Sequence, residues 1–128
     1  MKVFAAVCLV ALCLSACRQK GEIVVGCKNF TEQLILGEIA AQQIERKLHI
    51  PVERRLNLGG TLLTHLAILK GDIDIYPEYT GTAAQVVLKR NVPADPTAAY
   101  TIVKEEYLRR FHLAWLPPLG FNDTFAMV

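Results

Sequence analysis

Two tyrosines and two threonines lie close together in residues 76–82 (YPEYTGT), where a short apolar segment ends. The face of an aromatic ring attracts cations that cannot hydrogen-bond, such as trimethylammonium groups, by about 0.5–2 kcal/mol for each well-placed ring. We expect Tyr76 to be half-buried in the core. Tyr79 is the better candidate for contact with a bound cation.

A second polar segment, residues 29–32 (NFTE), has the pattern of a capping box at the start of a helix. We expect Asn29 to accept a hydrogen bond from the amide of Glu32, and Glu32 to reach back. The free amides of a first helical turn and the positive end of the helix dipole favour an anion. Thr31 and Gln33 would supply neutral donors beside that anion.

The glycine pair before Thr61, Gly59 and Gly60, would let the backbone approach a ligand or a neighbouring loop closely. A tight turn accounts for the pair equally well. The segment lacks the lysine of a P-loop, which argues against nucleotide binding.

No group of residues has the spacing of a metal site or of a nucleophile with its base. The histidines fall on different predicted elements, so each is expected at the surface or at a helix end: His49, His65 and His112. Three acidic residues are expected to be solvated or structural: Glu22, Asp72 and Asp74. The sequence therefore predicts a binding protein without cofactors and not an enzyme. The net charge of +2 without a basic stripe argues against nucleic acid as a partner.

Alternating strands and helices must position these motifs. Short apolar segments predict strands at residues 22–26, 51–56 and 73–76, and helical spacing predicts helices at residues 30–48, 61–70 and 82–89. This order implies an α/β fold with a parallel sheet. The strand-to-helix junctions of such a sheet lie at one edge, where ligands bind, and all three polar segments fall at such junctions.

Local features refine these elements. Gly71 fits the stop of the second helix, and Asp95 with Pro96 predicts the start of another helix that ends near Phe111. Residues 113–116 have strand-like composition. Apolar residues recur at near-helical spacing in the first two helices, at Leu34, Ile35, Ile39, Ile44, Leu48, Leu62, Leu66 and Leu69.

Residues 1–16 have the organisation of an export signal. Lys2 precedes an apolar segment, residues 3–14, which is too short to span a bilayer and has the length of a signal peptide. Residues 14–17 (LSAC) resemble a lipobox, which predicts that the mature protein begins at Cys17 and carries a lipid there. Residues 17–21 would then form a tether outside the cytoplasm.

The predicted processing changes how the cysteines are counted. Cys8 and Cys13 would leave with the signal peptide and Cys17 would be acylated. Cys27 then remains as the single thiol, so no internal disulfide is expected.

Four segments together resemble the substrate-binding proteins of ABC importers for glycine betaine, choline, carnitine and related osmoprotectants. They are residues 28–33 (KNFTEQ), 57–61 (NLGGT), 71–82 (GDIDIYPEYTGT) and 120–124 (GFNDT). The resemblance implies a type 2 periplasmic-binding-protein fold, in which two lobes close on the ligand. Residues 22–128 are similar to the first lobe only. We therefore expect that the sequence is truncated near the crossover and that the second lobe is absent.

The resemblance also implies site residues. An aromatic cage holds the quaternary ammonium group in such proteins, and polar groups hold the carboxylate. By motif position Tyr79 is similar to a cage member, and Gln33 and Thr82 are similar to carboxylate donors. Asn29 and Thr31 are included as neighbouring polar candidates.

Two positions depart from the family pattern. Cys27 stands where serine is expected, and Phe125 stands where cage-forming members often have tyrosine. Phenylalanine keeps the π face but ranks below tyrosine as a partner for a cation.

The resemblance implies a lipid-tethered receptor at the periplasm or cell surface. It would hand a quaternary amine to an ABC permease and its ATPase without chemical change. Two alternatives stay open on the sequence: a non-transport lipoprotein, enzyme or adhesion protein, on the same lobe fold, and a nonfunctional remnant of a disrupted gene.

Overall fold

A computed structural model describes residues 22–122 and shows alternating strands and helices around a parallel sheet. The elements are β1 (Ile23–Gly26), α1 (Thr31–Leu48), β2 (Val52–Arg55), α2 (Thr61–Leu69), α3 (Thr80–Thr82), a π-helix (Ala83–Val87) and α4 (Pro96–Phe111). Their order and the parallel pairing of β1 with β2 confirm the predicted fold class. The predicted export signal, Cys17 and Phe125 lie outside the described residues.

The sheet is built on β1, whose side chains are buried on both faces. Val24 and Val25 are fully buried, and Val25 packs with Ala41 of α1 and Val52 of β2 in one core cluster. The strands pair in register from Ile23 opposite Val52 onwards. A run of β-branched residues suits such a central strand.

The third predicted strand, residues 73–76, is wrong as a strand and is reduced to one parallel bridge between Val25 and Ile75. The Asp74 carboxylate accepts a hydrogen bond from the Val24 amide at 2.7 Å. The Asp74 side chain therefore pairs with the Val24 amide, which in a longer third strand would donate to a backbone carbonyl instead. Pro77, which has no amide hydrogen, follows directly. Asp74 is therefore structural, as expected.

The third helix starts earlier than predicted and changes character. It begins at Thr80, and after Thr82 the backbone continues as a π-helix in which the Leu88 amide donates to the Ala83 carbonyl at 3.0 Å. The predicted span, residues 82–89, is therefore corrected to 80–87. Ala83, Ala84 and Leu88 bury this segment against α4.

The boundaries of α4 confirm the sequence prediction. The Asp95 carboxylate accepts a hydrogen bond from the Ala98 amide at 2.8 Å, and Pro96 lies in the first turn. His112 closes the helix with a left-handed backbone conformation. The predicted strand at residues 113–116 is wrong, because this segment has no regular structure. Its Leu113 and Trp115 pack onto a core cluster formed by Ala83, Ala84, Leu88, Val103 and Tyr107.

Helical periodicity located α1 and α2 but not their buried faces. The most regular apolar positions are well exposed: Leu34, Ile35, Ile39, Leu48, Leu62, Leu66 and Leu69. The buried residues are small or polar, namely Gln33, Gly37 and Ala41 in α1 and Thr64 and His65 in α2. Across residues 22–122, no helix has the length and apolar character needed to cross a membrane.

Gly26 ends β1 at a point of close packing. A methyl group added there would lie 2.6 Å from Cδ1 of Ile73 and 3.1 Å from Cδ1 of Leu58. We expect Gly26→Ala to lower the free energy of unfolding by about 1–3 kcal/mol through overpacking, as measured by urea denaturation. Gly81→Ala is the matched control, because its methyl meets Val92 at an ordinary 3.9 Å. Equal stability of the two variants would contradict the prediction.

Candidate functional site

The three strand-to-helix junctions meet at one edge of the sheet, as the sequence predicts. The first contacts the second through backbone bonds: the Asn29 amide donates to the Gly59 carbonyl at 3.1 Å, and the Leu58 amide donates to the Cys27 carbonyl at 3.0 Å. The rings of Phe30 and Tyr79 stack across the first and third junctions, with centroids 6.3 Å apart and planes 21° from parallel.

A buried ion pair also joins the first and third junctions. The Lys28 ammonium donates to Oε1 of Glu78, and the two side chains are only 3% and 5% exposed. The same carboxylate oxygen accepts a hydrogen bond from the Tyr79 amide at 2.7 Å. Burial raises the pKa of Glu78, and the nearby ammonium opposes that rise. The pair fixes the backbone on which Tyr79 stands.

Tyr79 therefore has an aromatic and a cationic neighbour. Phe30 stacks beside it and is 42% exposed, and the Lys28 ammonium lies 5.2 Å from the Tyr79 ring centre. The Lys28 ammonium thus already makes a cation–π contact with the Tyr79 ring. Phe30, Lys28 and Glu78 were not predicted as site residues from the sequence. For Lys28 and Glu78, the available signal was a pair of opposite charges within two family-like segments.

Gln33 is fully buried at the start of α1. Its Oε1 accepts a hydrogen bond from the Lys28 amide at 3.4 Å. Its Nε2 has no hydrogen-bond partner among residues 22–122. An unused amide donor at this position suits a ligand oxygen and accords with the predicted role of Gln33, which stays a prediction.

The predicted capping box is wrong. The N-cap of α1 is Phe30, and no side chain accepts a hydrogen bond in a capping position there. Asn29 lies one residue too early to cap the helix, because α1 begins at Thr31. Gln33 then occupies the third helical position, from which it reaches back to the Lys28 amide. The first-turn amides consequently remain without a side-chain cap.

The other predicted site residues lie around this edge at different depths. Asn29 and Thr31 are exposed, and Thr82 is half-buried in α3, the short helix that follows Tyr79. The structure thus brings Tyr79, Gln33 and Thr82 to the same edge. Phe125 falls outside the described residues, so its role stays a prediction.

The phenol oxygens of Tyr76 and Tyr107 are buried close to Glu78. Tyr76 is half-buried, as expected, and burial followed by the charge of Glu78 raises its pKa. Burial and Glu78 also raise the pKa of Tyr107. Both phenols are therefore neutral at physiological pH, and Glu78, which is paired with the Lys28 ammonium, is the acidic side chain of this group.

His65 contradicts the expectation of a surface or capping histidine. It is 5% exposed, and its ring packs edge-to-face on Tyr107 and Phe111 at centroid distances of 5.4 and 4.8 Å. Burial and the charge of Arg110 lower its pKa. The other two histidines, His49 and His112, close helices as expected.

Cys27 has a structural environment. It is fully buried, and its sulfur accepts a hydrogen bond from the Asn57 amide at 3.4 Å. Gly37 of α1 approaches it so closely that an added methyl would lie 3.2 Å from the Cys27 Cβ. A serine hydroxyl, the group expected at this position, can accept the same bond. Within the described part of the chain no three His, Cys, Asp or Glu side chains are grouped to hold a metal.

The parallel sheet and its polar, partly aromatic edge define a ligand-binding lobe of the kind found in substrate-binding proteins of transporters. The chain belongs to the family OpuAC, the substrate-binding domain of ABC-type glycine betaine transport systems, whose model matches residues 21–128. This result confirms the resemblance found in the sequence.

Individual relatives support the assignment. The chain is 42% identical over 106 residues to the ergothioneine transport permease/ergothioneine binding protein EgtU of Helicobacter pylori strain G27, covering 82% of this chain and 19% of that protein. It is 36% identical over 110 residues to the carnitine transport binding protein OpuCC of Listeria monocytogenes, covering 85% and 36%. The apo YehZ structure from Escherichia coli matches with a TM-score of 0.73 and 34% identity, covering 82% and 38%. The chain thus spans well under half of each relative.

Proposed function

We propose that this chain serves as part of an extracytoplasmic solute receptor, tethered through a lipid on Cys17, that captures a quaternary ammonium osmoprotectant such as glycine betaine. The receptor would deliver the solute to an ABC permease driven by its ATPase, without chemical change of the solute. The observation that carries this proposal is the stacked pair of Phe30 and Tyr79 at the ligand-binding edge of an OpuAC-family lobe.

The chemistry of the relatives' solutes supports this choice. The relatives are named for ergothioneine, carnitine and glycine betaine. Each of these solutes combines a trimethylammonium group with a carboxylate. The aromatic pair suits the first group, and neutral donors suit the second: Gln33, Thr82, Thr31 and Asn29. Phe125 is proposed as a further cage member.

Threonine at position 82 also bears on specificity. A neutral hydroxyl in the short helix after Tyr79 can donate to a carboxylate, whereas an acidic side chain there would repel it. The proposal therefore favours solutes that carry both charges.

Calorimetric titration tests the proposal directly. The complete gene product, purified in detergent, is titrated with glycine betaine, carnitine, choline and ergothioneine, and its fold is verified by circular dichroism. Binding of at least one solute is expected. A folded sample that gives no heat with any of the four would overturn the proposal and favour a non-transport role for the lobe.

Removal of the Tyr79 ring is expected to weaken binding of the preferred solute about 2- to 30-fold. This range corresponds to the 0.5–2 kcal/mol that one well-placed ring contributes to binding a cation. The same titration on Tyr79→Ala measures the change. Tyr79→Phe, which keeps the ring, and Tyr100→Ala, which removes a tyrosine on α4, serve as controls and should bind nearly normally. Unchanged binding by Tyr79→Ala would exclude Tyr79 from the cage.

A further inference from the structure

Glu78 is the buried counter-charge beside the proposed cation-binding ring. Resting on the proposed function, we infer that Glu78 determines specificity as a positioning residue: it neutralises the Lys28 ammonium next to Tyr79 and thereby allows this ring to accept a solute cation. Glu78 acts through Lys28 and Tyr79, because its Oε1 accepts from both of them, and it does not touch the solute, because its side chain is only 5% exposed.

The position of the Lys28 ammonium makes such neutralisation necessary. It lies 5.2 Å from the Tyr79 ring centre. A cation bound to a ring lies within about 6 Å of the ring centre, so the two positive charges would be at most about 11 Å apart. At that greatest separation, uncompensated repulsion would weaken binding at least about 2-fold in a water-like medium and at least about 12-fold in a protein-like one.

Among the groups packed around Glu78, only Glu78 itself can supply the negative charge that compensates the Lys28 ammonium. Lys28 faces it from the first junction, Tyr76 precedes it in the third, and Tyr107 faces it from α4. Both phenols are neutral, so the Lys28 and Glu78 side chains carry the charges of this cluster. The pair is almost fully buried, and solvent screens it little.

Loss of one charge should therefore change selectivity in a direction set by its sign. An unpaired Lys28 ammonium repels choline, which carries only a positive charge. It attracts the carboxylate of glycine betaine, and this attraction offsets the repulsion of the trimethylammonium group. An unpaired Glu78 carboxylate has the opposite effects. A merely structural disturbance would weaken both solutes together.

The test compares choline with glycine betaine by calorimetry at pH 8 on the complete gene product. In Glu78→Gln the ratio of the choline Kd to the glycine betaine Kd should rise at least about 2-fold. In Lys28→Met the same ratio should fall. The double variant Lys28→Met/Glu78→Gln should restore the wild-type ratio to within about 2-fold, because it removes both charges.

The results for the variants test the role of Glu78, and the result for the wild-type protein tests the proposed function. The role of Glu78 is overturned if the Kd ratio shifts in the same direction in both single variants, or if it shifts in neither of them. Binding by the wild-type protein would still support the proposed function in that case. Wild-type protein that binds none of the four solutes overturns both. Circular dichroism verifies each fold, and where one single variant is unfolded, the sign of the shift in the other decides.

Discussion

Replacement of Lys28 by methionine lowers the free energy of unfolding by about 3–5 kcal/mol. The substitution leaves the Glu78 carboxylate, only 5% exposed, without its ammonium partner, and breaking a buried pair on one side costs about this amount. Urea denaturation followed by circular dichroism measures the change. Lys47→Met, at an exposed position in the last turn of α1, is the matched control and should stay within about 0.5 kcal/mol of wild type.

The loss should also depend on pH. Burial raises the pKa of Glu78 above 4.5 in the folded state, and removal of Lys28 takes away the charge that opposes this rise. A carboxyl group whose pKa is raised in the folded state stabilises the fold fully below pH 4.5. This contribution of Glu78 is lost as the pH rises through its folded-state pKa. Lys28→Met should therefore lose more stability at pH 8 than at pH 5. A loss that is equal at both pH values, or smaller than that of Lys47→Met, would contradict the buried pair.

Truncation of Tyr107 to alanine is expected to lower the free energy of unfolding by about 3–5 kcal/mol. Its side chain is 2% exposed, and its ring packs edge-to-face on His65, Phe111 and Trp115 at centroid distances of 5.4, 5.3 and 5.3 Å. Removal of a buried aromatic ring forfeits its burial and leaves a cavity. Urea denaturation followed by far-ultraviolet circular dichroism provides the measurement.

The neighbouring Leu108 supplies the control for that experiment. It is 57% exposed on the same helix, so Leu108→Ala should cost much less than Tyr107→Ala. Tyr107→Phe keeps the ring and should retain most of the stability. If Tyr107→Ala matched Leu108→Ala, the cluster that joins α2 to α4 would not contribute as its packing indicates.

Elements with strong local determinants were predictable from the sequence. Asp95 and Pro96 start α4 because a carboxylate cap and a proline in the first turn favour a helix wherever they occur. Gly71 follows α2 with a positive φ of 74°, a conformation that glycine adopts readily. The shared edge of the three junctions followed from parallel strand order, which is a property of topology and not of individual contacts.

Features that depend on distant partners were not predictable. The single bridge at Ile75 reflects a bond between the Asp74 side chain and the Val24 amide, which no local pattern reveals. His65 is buried because aromatic residues of α4 reach it. The buried pair of Lys28 and Glu78 could not be predicted for the same reason, since charged residues are expected at the surface unless a partner is known.

Two side-chain bonds tie the third junction and the segment before it to the first part of the chain, and each joins residues fifty positions apart: Val24 with Asp74 and Lys28 with Glu78. Contacts of such high contact order require closure of a long loop, whose entropy must be lost before the contact forms. We therefore expect the binding edge to be completed late in folding, after β1, α1, β2 and α2 have assembled. A solute bound at that edge would then stabilise the entire intervening segment, since it binds only the folded state.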